Sequence, residues 1–186
     1  MDYYFDIRVL PDPEFKETIL MNAVYAKLHR IIMKAGQGRT GLSFPEFAKS
    51  LGAVMRVHGS AGDLDNLLTE NWLQGLRDYT EVTATLPVPS GCKHRVVRRR
   101  QAKSAHNKRK RLITKGWKTV EDAWQKYPEE SSTLLKLPYA QFQSMSSKSM
   151  MRVFVEHGPL IEQPVNGVFS SYGLSQTATI PWFTDS

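Results

Sequence analysis

Five histidines, His29, His58, His94, His106 and His157, are the side chains of this chain best suited to moving a proton near neutral pH, because unperturbed imidazole titrates there. They lie far apart, with no H-x-x-x-H pair, so their spacing suggests no metal site. Cys92 is the single cysteine, which rules out an intrachain disulfide and a cysteine zinc cluster. A reducing, cytoplasmic setting fits that usage. His29 falls beside an apolar stripe of Leu20, Val24, Leu28 and Ile31, on the edge shared with Tyr25 and Ile32. An imidazole there can act as a general acid or base. On the residues alone, a helix-edge histidine satisfied by packing is the commoner case.

The other chemical feature is electrostatic. The stretch from Lys93 to Lys118 holds twelve Lys or Arg residues and no Asp or Glu. The remainder of the chain has 13 basic and 18 acidic residues, so the net charge of +7 comes from this one segment. So concentrated a field attracts polyphosphate, because each neutralised phosphate releases condensed counterions. Nucleic acid is the first partner to expect. A disordered basic tail or a solvated helix face is the bland alternative.

The elements that must position these groups can be read from periodicity. With 186 residues, a hydrophobic fraction of 41% and four Trp, the chain can bury a core as one domain or two small ones. No apolar run approaches the roughly 20 residues of a membrane span, and the acidic N-terminus is no signal peptide. Tyr3, Phe5, Ile7 and Val9 alternate with Tyr4, Asp6 and Arg8, a strand with one face on a core. Asp12 and Pro13 predict a helix N-terminus, and the helix stops near Ala35 to Gly38. Residues 41–45 and 53–58 read as strands. A second helix begins at 59–64, with Leu64, Leu67 and Leu68 inward, and 79–85 is a fourth strand. The order β-α-β-β-α-β is the ferredoxin-like arrangement, which hosts many functions.

Residues 86–91, rich in Pro and Gly, form the expected boundary between a domain over 1–88 and a second over 89–186. His94 to Val97 extends a strand. Ser104 can cap a helix on which Lys108, Arg111 and Lys115 share a face, with Leu112 turned away and Gly116 ending it. Helices are expected over 119–125 and 129–136, and strands over 139–144, 151–156, 168–172 and 179–182. The fold class is α+β.

Taken in order, several stretches resemble the type I-F CRISPR repeat endoribonuclease family, which cuts precursor CRISPR RNA into guides. They are Met1-Asp2 with Asp6-Ile-Arg8 and Pro11-Asp-Pro-Glu-Phe15, Lys27-Leu-His29, Ser43-Phe-Pro45, Trp72 with Gly75-Leu-Arg-Asp78, Gln101-Ala-Lys-Ser104, His157-Gly-Pro-Leu160, Tyr172-Gly-Leu-Ser175 and Pro181-Trp-Phe183. No single stretch is specific; their joint order and spacing around a basic helix is. The resemblance covers nearly the whole chain. It implies a ferredoxin-like domain followed by a second domain with an arginine-rich helix. It also implies binding to the stem-loop of the CRISPR repeat and cleavage at the 3′ base of the stem. The ribose 2′-OH attacks the adjacent phosphate without metal or cofactor, leaving a 2′,3′-cyclic phosphate and a 5′-OH. The product stays bound within a surveillance complex with other type I-F subunits. A cytoplasmic protein, monomeric when free, is expected.

Residue by residue, the resemblance makes His29 the catalytic histidine and Ser144 a serine that holds the 2′-hydroxyl in line for attack. Ser146 is its neighbour at the RNA, and Ser147 is a less favoured register for the serine. Tyr172 matches a tyrosine that orients the imidazole by a hydrogen bond; a core tyrosine before a turn is the plainer reading. Arg99 and Gln101 match a base-reading pair, apt because Arg meets guanine and a side-chain amide meets adenine two-pronged. Such contacts need an open end, since the A-form major groove is deep and narrow. Arg111 and Lys115, with Lys108 beside them, match phosphate contacts on the helix. Lys115 stands for an arginine and loses the planar fork. Met151 stands where the family has an aromatic that stacks on the terminal base pair; it can cover a base but lacks a π face. Tyr139 or Phe142 could substitute. A non-catalytic RNA-binding module and a DNA binder using the basic helix would show the same charge, and His29→Ala and RNA–DNA competition separate them.

Overall fold

The computed structural model describes residues 1–35, 38–101, 105–128, 135–144 and 149–184. They divide into two compact units, residues 1–99 with 137–186, and residues 100–136. The α+β class expected from the sequence is the one observed.

In the larger unit, β1 (Tyr3–Val9), β2 (Gly41–Ser43), β3 (Val54–Gly59) and β4 (Thr80–Val82) form an antiparallel sheet in the order β2-β3-β1-β4. A short β5 (Leu86–Pro87) pairs with the start of β1. Helices α1 (Glu17–Ala35) and α2 (Ala61–Thr69) complete the βαββαβ order. Phe5, Ile7, Met55 and Val57 from the central strands join Leu20, Val24, Leu28, Leu64 and Leu67 from the helices in one buried cluster. Each such side chain contributes about 1.5–3 kcal/mol on burial.

The outer face of β1 is not solvated as simple alternation predicts. Tyr4 and Asp6 are buried. Asp6 accepts two hydrogen bonds from buried Arg56, at 2.8 and 2.7 Å. Arg56 also donates to the Phe183 carbonyl at 2.9 Å and lies 4.0 Å over the Phe183 ring. The chain just after β9 (Thr179–Trp182) therefore covers this face.

A second sheet in the same unit runs β7-β8-β6-β9. Its strands are β6 (Lys93–Arg100), β7 (Tyr139–Gln143), β8 (Met150–His157) and β9. Val97, Ala140, Phe142, Val153, Val155 and Ile180 feed the same core. β7 lies on α1, where Asn22 Oδ1 accepts from the Gln141 amide at 2.9 Å.

Two expectations need correction. Helix α1 begins at Glu17, not at Pro13. Asp12 Oδ1 accepts from the amides of Glu14 and Phe15, closing a local turn ahead of the helix. Residues 168–172 are not a strand; Phe169 makes one isolated bridge to Gly38, and the chain then turns at Gly173.

In the smaller unit, α3 (Ala105–Thr114) and α4 (Val120–Lys126) pack together. Thr119 caps α4, its Oγ1 accepting from the Asp122 amide at 3.2 Å. The inward residue of α3 is Arg109, 4% exposed, whereas Leu112 is only half-buried. Arg109 lies 3.7 Å over the Trp124 ring and donates to the Tyr127 carbonyl at 2.6 Å. One arginine of the basic helix thus holds the unit together. Ser104 and residues 129–134 lie outside the described residues.

Candidate active site

The site is built on α1 and on the turn at 170–174. Tyr25 and His29 are four residues apart and so share a face of α1. Tyr25 is fully buried, and burial pushes its phenol well above the usual range, keeping it a donor. Three consecutive carbonyls of the turn accept from the ferredoxin-like half. Ser171 O accepts from His29 Nδ1 at 2.8 Å, Tyr172 O from the Tyr25 hydroxyl at 2.9 Å, and Gly173 O from the Leu42 amide at 2.7 Å. Gly173 has φ +66° and lies so close to Leu42 that a Cβ would come within 2.3 Å of its Cγ. Only glycine fits there.

A carbonyl can only accept, so His29 Nδ1 carries the proton and Nε2 carries the lone pair. Nε2 makes no hydrogen bond among the described residues. The imidazole is 8% exposed. Burial lowers its pKa below the ordinary 6.5; the Ser171 carbonyl opposes this, while Arg99 and Arg30 lower it further. At neutral pH the ring is an uncharged base held in one tautomer.

Tyr172 stacks on this ring, centroids 4.2 Å apart and planes 6° from parallel. The expected hydrogen bond from its phenol to the imidazole is absent, because parallel rings put the hydroxyl out of line. The Tyr172 hydroxyl points instead to Met151 Sδ, 3.8 Å away. The orienting hydrogen bond is the backbone one at Ser171. Arg99 lies 4.5 Å over the Tyr172 ring, with its Nε buried and without a hydrogen-bond partner among the described residues. Phe142 borders the imidazole at 5.9 Å.

The structure therefore gathers His29, Tyr172, Met151 and Arg99 from four distant parts of the sequence. Ser144 directly follows β7, two residues past Phe142. Its amide donates to the Ser149 carbonyl at 2.9 Å across the hairpin. Ser146 and Ser147 lie outside the described residues. Phe142 is 7% exposed, so it packs against the histidine and offers no face to a base pair; Tyr139 is 42% exposed. Gln101, Lys108, Arg111 and Lys115 belong to the smaller unit. Gln101, Arg111 and Lys115 are exposed there and Lys108 is half-buried, its Nζ 5.2 Å from the Tyr127 ring. Tyr25, Arg30 and the three-carbonyl clamp were missed by reasoning from residue types; the four-residue spacing of Tyr25 and His29 was the available signal.

Among the described residues, no group of three or more His, Cys, Asp or Glu side chains could hold a metal ion. No described helix is long and apolar enough to cross a membrane. The model of the CRISPR-associated protein family Cas_Csy4 matches residues 4–183. A CRISPR-associated endonuclease Cas6/Csy4 of Escherichia coli (strain UTI89 / UPEC) is 46% identical over 184 residues, covering 98% of this chain and 100% of its own length. One of the same name from Pseudomonas aeruginosa (strain UCBPP-PA14) is 40% identical over 187 residues, with 98% and 100% covered.

Proposed function

The chain belongs to the Cas_Csy4 family of CRISPR-associated proteins, and from that membership we propose that it is an endoribonuclease that processes precursor CRISPR RNA. It binds the stem-loop of the repeat and cuts at the 3′ base of the stem. His29 Nε2 accepts the proton of the ribose 2′-OH. The 2′ oxygen bonds to the adjacent phosphorus, the bond from phosphorus to the 5′ oxygen breaks, and that oxygen takes up a proton. The products are a 2′,3′-cyclic phosphate and a 5′-OH, and no metal takes part. Ser144 holds the 2′-hydroxyl in line.

Arg99 and Gln101 read bases near the foot of the stem, Lys108, Arg111 and Lys115 grip its phosphates, and Met151 and Ser146 border the cut site. Residues 1–88 act as a ferredoxin-like domain carrying the base, and 89–186 as the RNA-binding domain. The protein stays on the mature guide and joins other subunits of the type I-F complex, being monomeric when free.

The observation that carries this reading is the tautomer of His29. Its Nδ1 is committed to the Ser171 carbonyl, leaving a neutral Nε2 as the proton acceptor. His29→Ala tests it. Cleavage of a repeat hairpin should fall by roughly 10²-fold or more, while hairpin affinity is retained. Cleavage at the wild-type rate would show that His29 is not the base.

A further inference from the structure

The sequence of the smaller unit contains an aromatic side chain that the proposed reaction does not use. Trp117 is 59% exposed, an unusual state for so large an apolar ring. Its backbone is nonetheless fixed by hydrogen bonds. The Gly116 amide donates to the Ile113 carbonyl at 2.9 Å and the Trp117 amide to the Leu112 carbonyl at 3.0 Å. Gly116 has φ +65°. That pair of bonds is the Schellman end of α3, and it commonly turns the residue in Trp117's position back onto the helix. Here the indole stands in solvent instead. Lys115 Nζ is 4.7 Å and the Arg111 guanidinium 5.9 Å from its ring centroid. The other exposed tryptophan of the unit, Trp124, is already covered by Arg109 at 3.7 Å.

An exposed ring on a hydrogen-bonded backbone, flanked by cations, suits a nucleotide, with the base on the indole and the phosphate between the cations. An acidic protein partner would need only the charges. A paired base inside a stem has both faces stacked already, and the terminal pair at the foot is the one Met151 borders, so at the other end of the hairpin the base left to stack on is an unpaired one. At 1.5 Å per residue, the ten residues of α3 span about 15 Å. Trp117 is thus at the opposite end of the helix from the segment that carries Gln101. With Gln101 at the foot of the stem, the other end of α3 faces the loop. We propose that Trp117 stacks on an unpaired base in the hairpin loop, next to the stem phosphates that Arg111 and Lys115 hold. This rests on the reading of the chain as a hairpin-binding protein.

The test is the affinity of Trp117→Ala, Trp117→Phe and Trp117→Leu for a repeat hairpin whose cleavage-site ribose lacks the 2′-OH, at one fixed salt concentration. A second hairpin carries abasic residues in place of the loop bases. Trp117→Ala should weaken binding to the intact hairpin about tenfold, and Trp117→Leu similarly, while Trp117→Phe keeps most of the affinity. On the abasic loop all four proteins should bind alike. Equal affinity of wild type and Trp117→Ala for the intact hairpin overturns the inference, as does an equal loss on both hairpins. Equal weakening by Phe and Leu does so too, because both retain apolar bulk and only Phe retains a π face. A wild-type protein that binds neither hairpin overturns the hairpin reading itself.

Discussion

Acid should unfold this protein through two histidines that play no part in the proposed chemistry. His58 is fully buried, with Nε2 2.9 Å from Ser43 Oγ. His157 stacks on Phe47 at 3.8 Å and 12°, and neither of its ring nitrogens has a hydrogen-bond partner among the described residues. Burial, helped by Arg56 at His58 and Arg95 at His157, lowers both pKa values from 6.5 to about 3. The unfolded chain binds a proton at each site below pH 6.5, while the fold binds none until about pH 3. Stability is therefore complete above pH 6.5 and is lost as the pH falls from there toward 3. At pH 5, about 1.5 pH units below the unfolded value, each histidine costs about 2 kcal/mol at ~1.36 kcal/mol per unit. Together they remove about 4 kcal/mol from a total of roughly 5–15 kcal/mol. For a chain of this size that lowers Tm by about 8–16 °C between pH 7.5 and 5. His157→Phe keeps the stack on Phe47 and removes one titration. Measured by circular dichroism at matched ionic strength, it should lose about 4–8 °C less than wild type over that interval. Carboxylates titrate in both proteins and cancel in the comparison. An equal loss of Tm in the two would refute the claim that His157 is held neutral by burial.

The remaining predictions concern the site. Tyr172→Phe keeps the ring on His29 and removes only the contact to Met151, so single-turnover cleavage should stay within a few-fold of wild type. Tyr172→Ala removes a stack worth about 0.5–1.5 kcal/mol and should slow cleavage roughly two- to tenfold at saturating RNA, more than Tyr172→Phe does; equal rates for Phe and Ala would show that the stack contributes nothing. The cleavage rate should be level above pH 6.5 and fall only in acid, because the proposed base, His29, has its pKa lowered from 6.5 by burial and is neutral above it. Arg99→Gln should move that acid limb to higher pH, since Arg99 is one cause of the depression; a rate that rises as the pH falls below 6.5 would assign His29 the opposite role.

Much of the fold was legible because it rests on periodicity. Phe5, Ile7 and Val9 of the alternation in β1, and Leu20, Val24 and Leu28 of the stripe on α1, are buried as expected, whereas Tyr3 is exposed and Ile32, not Ile31, completes the buried stripe. The misreadings have local causes. Asp12 carries the marks of a helix cap, but an aspartate satisfies a turn by the same hydrogen bonds. Asp6 reads as solvated because nothing in β1 announces that Arg56 pairs with it and that the chain at Phe183 returns to cover that face. Arg109 was hidden among its neighbours; one guanidinium of a basic run is buried by Trp124, and the run itself does not mark which. The clamp on His29 uses backbone carbonyls, which every residue has. Only the glycine at 173, with its positive φ and its approach to Leu42, left a trace of that turn in the residue types.

The proposed reaction is cleavage of RNA by 2′-OH attack through the chain's own groups, with no metal. The direct measurement is incubation of purified protein with an end-labelled precursor repeat RNA in excess EDTA, followed by analysis of the new ends. A single cut at the 3′ base of the stem, with a 2′,3′-cyclic phosphate on one product and a 5′-OH on the other, is the predicted result. Cleavage that stops in EDTA and returns with magnesium, or products with a 5′-phosphate, would contradict it.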